Sequence, residues 1–360
     1  MRHNGRWIII TMERASRPHS ASEDEITRFL RTRFPARNAL VETGIGDDAA
    51  VLRGSSPRKT LVVTTDMLLE DIDFRRAWAT PAQVGHKALA VNLSDLAAMG
   101  AVALYYVVAL ALPKPVDPAW IRGFFRGLTA LGRRFDADLI GGDLSSSRSG
   151  IGISITAIGT PAGRRAILRS GGRAGDLLYV TGSLGCSAAG LALLRSGILQ
   201  GRSGPERFAL RAHRTPEPRC AVGEWLSRSG LVSCLMDLSD GLSSDLPRLC
   251  EASGTGGEVC ASRLPQFSES ASWGCDPLDL AFHGGEDFEL LFASTPRKAA
   301  ILERRYPSTL PPLSRIGVLT TKAGVRWRRA PGAVSTPLQK RGYDHFRGRG
   351  GRTPQRGPSV

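Results

Sequence analysis

The sequence predicts a two-domain protein of the α/β (α+β) class, and three observations predict it. The chain has 360 residues, long for a single domain of roughly 100–200 residues. Apolar strand-like runs and amphipathic segments interleave in both halves without strict alternation, a pattern that suits mixed sheets with helices packed on them. A Gly/Arg-rich stretch at 163–175 separates the halves and reads as a boundary. The expected layout is a disordered leader at 1–22, an N-terminal domain at 23–165, a C-terminal domain at 166–346 and a basic tail at 347–360.

Each element has a local reason. Residues 23–33 (EDEITRFLRTR) space Ile26, Phe29 and Leu30 along one helix face. Residues 44–52 (GIGDDAAVL) read as a turn entering a short strand, and 60–65 (TLVVTT) as a strand stopping at Asp66. Pro81 suits the first turn of a helix over 81–99. Residues 103–112 (ALYYVVALAL) form a buried strand, 118–135 a second helix, 139–143 a short strand end and 152–159 another strand. In the second half, strands are expected at 176–181, 235–238, 258–261, 288–293 and 314–319, the last clear one. Helices are expected at 188–194, 219–228, 243–253 and 297–305.

Composition excludes several classes. Hydrophobic residues make up 42% and charged residues 22%, so the chain can bury a core. No apolar run approaches the roughly 20 residues that cross a bilayer. The net charge of +15 is concentrated at the ends: the first 22 residues carry +3 and the last 40 carry +9. Solvated tails explain this more simply than nucleic-acid binding, for which no recognition motif is present. Met12 is an alternative start, since 1–11 shows no periodic pattern. The six cysteines form no CxxC pair and no zinc spacing, and read as reduced packing residues of a cytoplasmic protein.

Carboxylates carry the functional signal. Asp recurs after apolar runs: Asp47 and Asp48 in GIGDD, Asp66 in VVTTD, Asp143 in LIGGD, Asp237 and Asp240 in LMDLSDG. Asp95 in NLSD adds one from a helix. Taken singly, each has an ordinary explanation as a turn residue or helix cap. As a set converging from strand ends, they would repel unless divalent cations sat between them. Carboxylates with Thr64 and Thr65 nearby are hard ligands suited to Mg²⁺ and polyphosphate.

Other motifs are weaker. Gly182–Gly190 follows a strand and opens a helix, but reads GxxGxxxxG and favours close packing over dinucleotide binding. There is no GxxxxGK[ST], so this is not a Walker-type phosphate loop, and no GxSxG elbow is present, so nucleophile readings fare poorly. Arg169 is a candidate for helping to neutralise a triphosphate. In GGEDFEL at 284–290 a turn explains the glycines but not both acids beside an apolar run. Among six histidines only His283, before the glycine pair, stays under suspicion as a base.

Together, GIGDDAAVL (44–52), TTDMLLE (64–70), HKALAVNLSDLAAMGA (86–101), LIGGD (139–143), LRSGGRAGDLLYVTGSLGCSAAGLALL (168–194), MDLSDGLSSDL (236–246), GGEDFELLF (284–292) and GYDHF (342–346) resemble the thiamine-monophosphate kinase family. That family lies within the aminoimidazole-ribonucleotide-synthetase-like ATP-binding superfamily. The resemblance implies ATP-dependent phosphorylation of thiamine monophosphate to thiamine diphosphate with several Mg²⁺ ions. It implies a homodimer formed through the N-terminal sheet, with the nucleotide in a dimer-associated cleft. Metal ligands would be Asp48, Thr64, Thr65, Asp66, Asp95, Asp143, Asp237 and Asp240. ATP contacts would be Gly142, Asp143, Arg169, Ser239 and Arg126. Substrate contacts would be Asp73, Glu286 and Tyr343, with no general base. Asp73 stands where the family usually has the His of a GxHF pattern, and Arg126 where an aromatic residue is common. The rival readings are another ATP-dependent enzyme of the same superfamily, or a nucleic-acid-associated protein using the basic ends.

Overall fold

The computed structural model describes residues 22–33, 35–36, 38–54 and 60–346. The basic tail, Met12 and all of the expected leader except Ser22 lie outside the described residues. Ser22 is buried and forms a reciprocal capping box with Glu25, so it opens the first helix.

The first half contains α1 (Glu23–Arg33), β1 (Val41–Thr43), β2 (Ala50–Leu52), β3 (Leu61–Leu69), α2 (Pro81–Ala98), β4 (Ala101–Pro113), α3 (Pro118–Arg134), β5 (Asp138–Ser147) and β6 (Gly152–Pro161). Its sheet runs β1-β2-β3-β6-β4-β5, antiparallel except for the β4–β5 pair. α2 packs on one face of this sheet and α3 packs on α2.

The second half contains β7 (Leu177–Thr181), α4 (Cys186–Arg195), α5 (Gly204–Arg214), α6 (Cys220–Ser229), β8 (Cys234–Asp237), α7 (Leu242–Ser253), β9 (Gly256–Cys260), α8 (Pro277–His283), β10 (Leu290–Ser294), α9 (Pro296–Arg305), β11 (Leu313–Thr320), β12 (Gly324–Arg328) and β13 (Thr336–Pro337). Its sheet runs β13-β12-β9-β11-β7-β10-β8.

α2 belongs to both halves. Thr80 and Gln83 form a capping box and Pro81 opens the first turn. The helix is apolar nearly all round, which demands burial on every side, and thirteen of its eighteen residues are buried. Leu89, Leu93 and Leu96 share a core with Val62, Leu110 and Phe124. Ala97 and Ala98 pack instead with Tyr179, Leu235 and Phe292 of the second half.

Several expectations need correction. β3 does not stop at Asp66 and β5 does not stop at Asp143; both strands run through these residues. Asp is depleted in strands; here Asp143 is exposed and Asp66 hydrogen-bonds Asp95. The strand expected from residue 288 starts at Leu290, because Glu286 and Phe288 have φ of 65° and 50°, outside the β region. The apolar stripe of α1 is not buried: Phe29 is 55% exposed. Ion pairs of Asp24 with Arg248 and Lys340, and of Arg28 with Glu251, tie this helix down. α5, α8, β12 and β13 were not expected, being arginine-interrupted or too short to show a period.

Candidate functional site

Three carboxylates meet where the two halves join. Asp48 comes from the loop before β2, Asp95 from the last turn of α2 and Asp237 from the end of β8. One oxygen from each lies within 4.8 Å of the others. Asp66, on the helix-facing side of β3, lies against Asp95. Thr64, two residues earlier on the same side, donates its hydroxyl to Asp95. Ser94, beside Asp95 on α2, donates to Asp237 at 2.6 Å. Asp48 receives a two-pronged contact from Arg169, with Nε at 3.0 Å and Nη2 at 2.7 Å. The backbone N–H of Arg169 reaches Asp47 at 3.1 Å.

Burial and mutual repulsion both show in the acidities. Burial raises Asp66 to about 6, against a smaller lowering by its hydrogen bond with Asp95. Burial, then Asp66, Asp237 and Asp48, push Asp95 well above the ordinary carboxylate range. Asp237 is raised likewise by burial and then Asp48. Asp47 rises to about 6 from burial and the Asp48 charge. Such a cluster is costly, and among the described residues the Arg169 cation and the Thr64 and Ser94 hydroxyls offset it. Its donors are all hard oxygens, so the residues fit a hard divalent cation.

The other expected ligands lie elsewhere. Ladder pairing puts Thr65 opposite Thr156, and Asp143 in one row with Ala109, Ser154 and Met67. Strand neighbours in one row share a face, so Thr65 and Asp143 lie on the sheet face that carries no helix among the described residues. The Thr65 hydroxyl bonds Ile155 O at 3.0 Å and receives the Thr156 hydroxyl at 3.1 Å. Within one copy, therefore, Asp143 and Thr65 lie on the opposite face of the sheet from Asp66 and Thr64. Side chains alternate along β3, so adjacent Thr64 and Thr65 cannot face the same way. Asp240 also stands apart, paired with Arg248 at 2.6 Å. Gly142, with φ of 157°, lets β5 pass against the Val108 carbonyl. Arg126 is exposed on α3 and, among the described residues, makes no hydrogen bond or ion pair with the cluster.

The substrate-side candidates do gather. The Glu286 N–H donates to Ser239 O at 2.7 Å and the Tyr343 N–H to Asp240 O at 3.1 Å. Asp73 accepts from the Leu69 N–H at 2.7 Å, closing a turn. Two residues missed by sequence reasoning join them. Lys87 Nζ lies 2.6 Å from Glu286 and 3.0 Å from the Asp73 carbonyl oxygen. His213 Nδ1 lies 3.1 Å from Glu286. Burial would raise Glu286, but Lys87 and then His213 outweigh it and hold it at about 2. The signal for Lys87 was a lone Lys in a mostly apolar helix; His213, on an unexpected helix, gave none.

The remaining acids of GGEDFEL are structural. Asp287 accepts from the N–H groups of Gly185 at 2.6 Å and Ser187 at 3.0 Å, capping α4 from outside. Glu289 accepts from Arg219 Nε at 2.7 Å and from Thr181 at 2.5 Å. The Gly182–Gly190 segment thus has its helix N-terminus occupied by Asp287. His283 Nδ1 bonds Ser243 at 2.8 Å, an anchoring role.

Residues 46–160 match the family described as AIR synthase related protein, N-terminal domain, and 173–328 match AIR synthase related protein, C-terminal domain. The chain is 35% identical over 311 residues to a thiamine-monophosphate kinase of Bacillus subtilis (strain 168), covering 86% of this chain and 95% of that one. It is 38% identical over 316 residues to the thiamine-monophosphate kinase of Escherichia coli (strain K12), covering 85% and 92%. The solved structure described as "AaThiL complexed with AMPPCP and TMP" superposes with a TM-score of 0.76 at 28% identity, covering 90% of this chain and 97% of that one.

Proposed function

The chain belongs to the thiamine-monophosphate kinase family, and we propose that it transfers the γ-phosphoryl group of ATP to the phosphate of thiamine monophosphate. The bond from the γ-phosphorus to the β-γ bridging oxygen breaks, a bond to an oxygen of the acceptor phosphate forms, and ADP and thiamine diphosphate leave. The observation that carries this reading is the Asp48, Asp95 and Asp237 cluster, built from both halves of the chain with Asp66 and Thr64 beside it. These residues would hold Mg²⁺, which when bound supplies neutralisation of the gathered phosphate charge. Arg169 contributes a fixed positive charge at the same place. Asp73, Glu286 and Tyr343 offer the acceptor's cationic ring an acidic and aromatic side. Thr65, Gly142 and Asp143 we assign to a nucleotide cleft completed by a second copy. The uncovered sheet face, with Leu61, Met67, Leu69 and Tyr105 exposed on it, supports a homodimer. The six unpaired cysteines support a cytoplasmic setting.

No general base is needed. A phosphomonoester has a second pKa of about 6, so at neutral pH its oxygen is already anionic. An alcohol acceptor would need a proton removed, and the nearby histidines are engaged, His283 with Ser243, His213 with Glu286 and His345 with Tyr343. A coupled ADP-release assay with Mg²⁺ tests the reading. Turnover is expected with thiamine monophosphate, and at least 100-fold less with free thiamine. Comparable rates with the two acceptors would overturn it.

A further inference from the structure

Lys87 stands out on α2. It is 3% exposed, on a helix whose other buried side chains are almost all apolar. A buried ammonium is costly unless fully engaged, and Lys87 is engaged across the junction of the two halves. One N–H donates to Glu286 Oε1 in the second half and another to the Asp73 carbonyl in the turn after β3. Glu286 has a φ of 65°, a conformation that a non-glycine residue holds only when its surroundings impose it. Its backbone N–H is fixed on Ser239 and its second carboxylate oxygen faces His213. The same Nδ1 of His213 also lies 3.1 Å from the Ser187 hydroxyl, so Glu286 and Ser187 meet at one ring nitrogen. Lys87 and Asp95 lie eight residues apart on one rigid helix.

We propose that Lys87 is a positioning residue for the acceptor: it locks Glu286 and the Asp73 turn to the helix that carries Asp95, holding the acceptor's contacts in place so that the acceptor binds. The proposal rests on the reading above, in which Glu286 and Asp73 face thiamine monophosphate. A general structural role would lower stability and leave substrate preference unchanged. A positioning role raises the KM for one substrate alone.

The test is a cycle of Lys87→Met, Glu286→Gln and the double variant in the full chain, assayed with thiamine monophosphate and ATP varied separately. Glu286→Gln is expected to raise the KM for thiamine monophosphate at least tenfold. Lys87→Met should do the same, with the KM for ATP and kcat within about threefold of the parent. The double variant should match Glu286→Gln alone, because the group Lys87 holds is no longer charged. If Glu286→Gln leaves that KM unchanged, the assignment of Glu286 to the acceptor fails. If Glu286→Gln raises it and Lys87→Met does not, or if the two effects multiply, the role given to Lys87 fails. Should Lys87→Met not fold, Lys87→Arg keeps the charge and displaces it. The same selective rise is expected there, and equal effects on both substrates would overturn the proposal.

Discussion

Asp95 shows what a residue placed for a ligand costs when the ligand is away. It sits among Asp48, Asp66 and Asp237, and burial and these neighbours raise its pKa well above the usual range. A carboxylate with a raised folded-state pKa stabilises the fold below its unfolded value of about 4, and that stability is lost as pH rises through the folded value. Asp66 and Asp47, raised to about 6, follow the same sign. The lowered His86, His213 and His283 act oppositely, losing stability as pH falls below about 6.5. A comparison of variants isolates the acids from the histidines. In metal-free protein, Asp95→Asn should be more stable than the parent by on the order of 1–3 kcal/mol at pH 8. The gap should narrow toward pH 5, and millimolar Mg²⁺ should reverse it. Thermal unfolding across pH 5–8 with chelator or Mg²⁺ measures this. A metal-free Asp95→Asn less stable than the parent at pH 8 would sink the account. The same substitution should lower kcat by at least about 100-fold, the scale of losing one charge-stabilising group.

At the scale of elements, α3 lies very closely on α2, the helix that carries Asp95. Gly85 on α2 packs against the Phe124 carbonyl of α3, and Gly127 on α3 packs against the Ala82 carbonyl of α2. A Cβ at either position would drive into backbone that cannot rotate away. Gly127→Ala should therefore destabilise the protein by about 1–3 kcal/mol from overpacking, despite the roughly 1 kcal/mol that Ala gains in helix propensity. Urea unfolding of the metal-free chain checks this, and an unchanged or raised midpoint would contradict it. α2 was legible in the sequence because Pro81 suits its first turn, while the Thr80–Gln83 capping box shows only in the structure. The strands β3 and β5 were legible as strands but not in extent, because Asp66 and Asp143 look like terminators until their neighbours are known. Which acids meet was not legible either. Alternation along β3 separates Thr64 from Thr65, and only the sheet order shows which side faces α2. Lys87, His213 and Arg248 act through partners more than a hundred residues away or on other elements, and local sequence carries no trace of such pairings.

For the whole molecule, the uncovered face of the first sheet is the feature that a single copy leaves unexplained. Helices bury one side, while Met67 is 64% and Tyr105 44% exposed on the other. Asp143 and Thr65 share that side, so a second copy laid on it would bring its own polar row against these residues. A two-fold interface places each patch against its equivalent, so one substitution introduces two facing charges. Met67→Asp is thus expected to halve the mass measured by light scattering at micromolar concentration. It should lower activity as well, because the assigned nucleotide cleft would be left half-built. Ala130→Asp, on the exposed side of α3, introduces the same charge away from that face and should leave both mass and rate unchanged. A parent protein that is monomeric yet fully active would refute the shared cleft. A Met67→Asp variant that stays dimeric would move the interface to another surface.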